Sequence, residues 1–219
     1  MREQYVQTPV GKARLDWFPA DGRQRATIVL GHGTATGVEA ADLQALARVL
    51  PTVGISVALM RQPYRVEHNP RASGEAALDE AWRAIWPEAV AGSNTTPVIA
   101  GGRSAGSQVA CRTADGLGAA AVLVLAYPLL GPGSPAELLS VRVPVLVVQG
   151  GLDPFGSPEQ FPALPETMHL VEIPDTNHMF APAGSARSSN PLPMITDTVA
   201  TWLGRILPGS AHHRIGPPA

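Results

Sequence analysis

The feature that most constrains this chain is an alternation. Short apolar runs of strand length are each followed by a stretch with helical period. Ala26–Leu30, Ile55–Met60, Pro97–Ala100, Ala121–Ala126, Val143–Val148 and Met168–Ile173 read as strands. Most are apolar at nearly every position, as in strands covered on both faces. Between them, Leu43, Leu46, Ala47 and Leu50 share a helix face that Pro51 ends; Leu78, Trp82, Ile85 and Trp86 share another. Ser73 is placed to N-cap that second helix, and Pro87 to stop or kink it. A third helix covers about 105–113, a helical turn 135–139, and a last helix aligns Ile195, Val199, Trp202, Leu203 and Ile206. Tyr5–Thr8 and Ala13–Phe18 flank Pro9-Val10-Gly11 as an opening hairpin. The expectation is an α/β fold, a mostly parallel, doubly wound sheet with helices on both faces. A single domain would span 1–208, with a flexible tail over 209–219.

Such sheets gather function at the carboxyl ends of their strands. Composition narrows the class of function. A formal net charge of −2 over 219 residues gives no broad positive field for nucleic acid or an anionic membrane surface. The longest apolar stretch, Ala119–Tyr127, is far short of the roughly 20 residues that cross a bilayer, and MREQYVQTPVG lacks the apolar core of a secretory signal. Cys111 is alone, so no internal disulfide and no four-cysteine zinc site can form; a cytoplasmic setting is expected. The glycines of Gly31-His32-Gly33-Thr34-Ala35-Thr36-Gly37 are misspaced for a dinucleotide fingerprint, and Arg61 stands where an acid is needed. Neither glycine loop contains a GK[ST] phosphate cradle.

Gly102-Arg103-Ser104-Ala105-Gly106 matches G-x-S-x-G between a strand and a helix. In that setting the serine occupies a strained turn above the sheet, and the flanking glycines let backbones pass without a Cβ clash. The alternative is a glycine-rich turn whose serine only caps the helix. A serine hydroxyl also needs a base, and the base an orienting group. Of six histidines, His212 and His213 lie in the tail, His169 in a strand, His68 in a polar loop, and His32 after the first core strand, where it shapes a loop. His178, just beyond the last strand, is the candidate base. Asp153, after the strand VPVLVV, is the candidate acid. Asp175 competes but sits three residues from His178, where it reads as a turn former. The order Ser104, Asp153, His178 is that of the α/β-hydrolase triad. Oxyanion donors follow: the Ala105 N–H, and the Thr34 N–H from the loop after the first core strand.

These residues, with LGHGTATG, MRQPYR, GGRSAGS, AYPLLGPG, VVQGGLDPFG and NHMF, resemble the α/β-hydrolase superfamily. The similarity runs from Leu30 to Phe180 and is nearest the dienelactone-hydrolase-like group with the small KANSL3/Tex30-type hydrolases. The resemblance implies an α/β-hydrolase fold with Ser104 as nucleophile, His178 as base and Asp153 as orienting acid. Dienelactone hydrolases proper use a cysteine at the elbow, where this chain has serine. The 15-residue segment Pro128–Arg142 occupies the place of the superfamily's large lids, so an open cleft is expected.

The expected activity is a serine hydrolase acting on a small ester, thioester or lactone through an acyl-enzyme, with neither metal nor organic cofactor. A small-molecule acyl substrate is the expected partner. Two alternatives share the scaffold: a non-catalytic interaction protein, and a pathway thioesterase or acyltransferase. Arg61, Arg65 and Arg103 either line the cleft for an anionic substrate or pair with Asp and Glu.

Overall fold

The computed structural model describes residues 1–69, 74–131, 135–182 and 190–207. Its strands are β1 (Arg2–Thr8), β2 (Gly11–Phe18), β3 (Ala26–Gly31), β4 (Ile55–Arg61), β5 (Val98–Arg103), β6 (Val122–Leu125), β7 (Val145–Gly150) and β8 (Met168–Ile173). They form one sheet in the order β1-β2-β4-β3-β5-β6-β7-β8. The opening hairpin lies at one edge, with β2 antiparallel to both β1 and β4. Every other neighbouring pair is parallel.

The helices are α1 (Ala41–Val49), α2 (Pro63–Val66), α3 (Glu75–Gly92), α4 (Ala105–Leu117), α5 (Ala136–Leu139) and α6 (Leu192–Ile206). Alternation along each buried strand divides the core in two. Val29 faces one side with Ala100, Val122 and Val145, covered by Trp82, Ile85 and Trp86 of α3 and Val109 and Ala110 of α4. Ile28 and Leu30 face the other with Val57, Leu123 and Val148, covered by Leu43 and Leu46 of α1 and Ile195, Val199 and Leu203 of α6. Each large side chain so buried contributes about 1.5–3 kcal/mol. The continuous apolar strands follow from this arrangement, because neither face of the central sheet meets water.

The structure departs from the sequence reading at several points. Pro87 does not stop α3, which runs on to Gly92. The proline removes one N–H from the helix, but Trp82, Ile85, Trp86 and Ala89 are buried on both sides of it and hold the helix against the sheet. Strand β5 continues past Ala100 to Arg103, because Gly101 and Gly102 pair in register with Leu123 and Val124. The one-turn helix α2 had no sequence counterpart. Ser73 and the tail 209–219 lie outside the described residues. Between β6 and β7 the described chain carries only the short α5, so no large lid covers the carboxyl end of the sheet.

Candidate active site

The elbow follows β5 directly. Ser104 has φ 51° and ψ −123°, a conformation that costs a non-glycine residue about 1–3 kcal/mol. The surroundings impose it. A Cβ on Gly102 would lie 2.7 Å from the Gly31 carbonyl oxygen, and one on Gly106 would lie 2.5 Å from the Gly31 carbonyl carbon. The ends of β3 and β5 and the first turn of α4 therefore meet backbone to backbone, which only glycine permits. The turn ends with Ser104 half-buried at the floor of a cleft of about 480 Å³.

His178 Nε2 stands 3.0 Å from Ser104 Oγ, and His178 Nδ1 stands 2.8 Å from Asp153 Oδ2. The Asp153 carboxylate is fully buried; the imidazole is 15% exposed, open toward the cleft. With Nδ1–H donating to the carboxylate, Nε2 is free to accept the serine proton. Asp153 is fixed in turn: Oδ1 accepts the Phe155 N–H at 2.8 Å, and Oδ2 accepts from Gln149 Nε2 at 2.9 Å. Gln149, fully buried on β7, also donates to the Gly156 carbonyl and accepts the Tyr127 N–H, joining the loops after β6 and β7. The loop carrying His178 reaches the acid because Gly150 has no side chain: a Cβ there would lie 2.6 Å from the Thr176 carbonyl oxygen. Asn177 Oδ1 closes that loop by accepting the N–H groups of Met179 and Ala181. Asp175 is exposed, with φ 55° in the turn after β8, and takes no part in the relay.

The loop after β3 arches over the serine, where a Cβ on Gly33 would lie 3.3 Å from Ser104 Cβ. His32 braces it. Its Nδ1–H donates to the Gly33 carbonyl at 2.8 Å, and its Nε2 accepts the Gln62 N–H at 3.1 Å. Burial is the largest influence on this imidazole and lowers its pKa to about 4, so it stays neutral and can accept that bond. The peptide whose carbonyl His32 holds carries the Thr34 N–H.

The three arginines serve different ends. Arg103 borders the cleft, yet it is 1% exposed and its guanidinium is committed. Nε donates to Asp42 Oδ2 at 2.9 Å, and Nη2 donates to the His178 carbonyl at 2.6 Å. One buried cation thus ties the residue before the nucleophile to α1 and to the loop of the base. Arg61 pairs with Glu39. Arg65 donates to the Thr34 carbonyl at 2.6 Å and lies over the Tyr64 ring. Gln149, Asn177 and Asp42 are the site residues that sequence reasoning missed. A polar glutamine inside the apolar strand VLVVQG was the available signal for the first.

A wider groove of about 1050 Å³ runs between β8 and α6, but its walls include no residue of the relay. The cleft at the strand ends is the chemically equipped one. The family model described as alpha/beta hydrolase domain matches residues 24–202. The chain belongs to the α/β hydrolase family. No curated protein matches this hydrolase domain by sequence. Among solved structures it is similar to a lidless α/β serine hydrolase from Xanthomonas campestris, at 22% identity over 95% of each chain and a TM-score of 0.75. It is also similar to an α/β serine hydrolase homologue from Coxiella burnetii, at 17% identity over 92% of this chain and 97% of that one, TM-score 0.77. A dienelactone hydrolase from Anabaena variabilis shares 20% identity over 94% of this chain and 98% of its own, TM-score 0.72.

Proposed function

We propose that this α/β hydrolase cleaves a small ester, thioester or lactone through an acyl-enzyme on Ser104. The observation that carries the reading is the hydrogen-bonded relay from Ser104 Oγ through His178 to the buried Asp153 carboxylate. Ser104 attacks the acyl carbon while His178 takes its proton; the tetrahedral oxyanion is met by the N–H groups of Ala105 and Thr34. His178 returns the proton to the leaving group, and water activated by the same imidazole releases the acid. The resemblance to dienelactone hydrolases supports a place in that group, with serine chemistry in place of thiolate. A single buried thiol, Cys111, is compatible with a reducing cytoplasm. The uncovered cleft supports small soluble substrates over lipid aggregates.

The test is direct. A fluorophosphonate probe labels the wild type and not Ser104→Ala, and that variant loses p-nitrophenyl acetate turnover while its unfolding transition is unchanged. Equal turnover by the two proteins removes Ser104 from the chemistry.

A further inference from the structure

We propose that the wall built by Phe155 and Met179 is a subsite for an apolar leaving group, so that the enzyme selects esters by their alcohol more than by their acyl part. The proposal rests on the hydrolase reading above. The cleft is lined by two unlike sets of residues. Gly33, Thr34 and Ala35 are small and rich in backbone; Phe155 and Met179 are large and apolar. Phe155 is 50% exposed and Met179 46%, although both adjoin the relay. The Phe155 ring centroid is 4.6 Å from that of the imidazole, and Met179 follows His178 in the chain. Leu130, 62% exposed, donates its N–H to the Phe155 carbonyl. Large apolar side chains left open to water beside a reactive centre mark a contact surface.

The chemistry decides which half of an ester meets it. In acylation the Ser104 Oγ–carbon bond forms, the serine proton passes to His178 Nε2, and the carbon–oxygen bond to the alcohol breaks. The departing oxygen takes that proton from the same nitrogen. The leaving oxygen must therefore sit at His178 Nε2, beside Phe155 and Met179, while the carbonyl oxygen turns toward Ala105 and Thr34. The alcohol then extends over the apolar wall, and the acyl group runs along the small-residue wall. Arg103 directs Nε and Nη2 to Asp42 and the His178 carbonyl, and its Nη1 lies 3.6 Å from Met179 Sδ, at the edge of this wall.

The experiment compares kcat/KM along two ester series, ethyl to hexyl acetate and ethyl acetate to ethyl hexanoate, for the wild type, Phe155→Ser and Met179→Ser. Primary alkanols leave with nearly equal intrinsic reactivity, so the alkyl series reads binding. A methylene covered on one side only gains about half its full transfer energy, which is about twofold per methylene and roughly tenfold or more from ethyl to hexyl. The acyl series rises much less, and each variant flattens the alkyl series. An active protein with a flat alkyl series, or a rise that survives in both variants, overturns the subsite. Absence of fluorophosphonate labelling at Ser104 in the same preparation overturns the hydrolase reading instead.

Discussion

Acidification should unlatch the loop after β3, and the effect can be sized. His32 is 3% exposed and its pKa is lowered from 6.5 to about 4, chiefly by burial; the Gly33 carbonyl opposes that shift, and Arg65 and Arg61 add to it. The folded protein thus binds this proton less readily than the unfolded chain. The stability it contributes is complete above the unfolded value of about 6.5 and is lost as pH falls toward 4. With these two values, linkage gives a loss of about 2 kcal/mol between pH 7 and pH 5, and about 3 kcal/mol by pH 4. Other groups titrate in the same range, so the measurement is a difference of differences. Urea unfolding of the wild type and His32→Gln is followed at pH 7, 6 and 5. Glutamine keeps a donor and an acceptor but cannot take up a proton. The variant starts less stable at pH 7 and then loses about 2 kcal/mol less than the wild type on the way to pH 5. Parallel pH dependences in the two proteins would refute the assignment of a buried neutral imidazole.

Two further substitutions probe the scaffold of the site. Gly106→Ala places a methyl group 2.5 Å from the Gly31 backbone, where no side chain can yield; we expect a loss of about 3 kcal/mol in urea unfolding together with reduced turnover. A stability within 0.5 kcal/mol of wild type would show that the elbow yields without cost. Asp42→Asn leaves the Arg103 guanidinium buried without its counter-charge, and we expect a cost of about 3–5 kcal/mol and slower p-nitrophenyl acetate hydrolysis. A change below about 1 kcal/mol would mean that the pair does not brace the loop of the base.

Much of the fold was legible because burial on both faces leaves a plain mark. A strand such as ATIVL is apolar at every position but Thr27, and the heptad-like spacing of Ile195, Val199, Trp202 and Leu203 admits no strand. Pro87 misled because propensity is local, whereas α3 is held by Trp82 and Trp86 packing on β-strands distant in sequence. The relay was legible for a different reason. Strand-end positions are fixed by topology, and Ser104, Asp153 and His178 occupied three of them in the required order, with Asp175 the competing acid set aside as a turn former. The partners of the bracing groups were not legible. Nothing local to Arg103 announces Asp42, which is 61 residues away, and nothing local to Gln149 announces the Tyr127 backbone, 22 residues away. Long-range polar pairs of this kind carry no periodicity.

The order of strands has a consequence for the growing chain. The nucleophile and the proposed oxyanion donors follow β3 and β5, near the middle of the sheet, while acid and base follow β7 and β8 at its far edge. His178 leaves the ribosome 74 residues after Ser104. Throughout that interval the serine is an ordinary alcohol with nothing to draw off its hydrogen, so nascent or prematurely terminated polypeptides are esterolytically silent. The relay is complete only once the loop after β8 is in place, so a molecule able to attack an ester carries this last parallel strand on its neighbour.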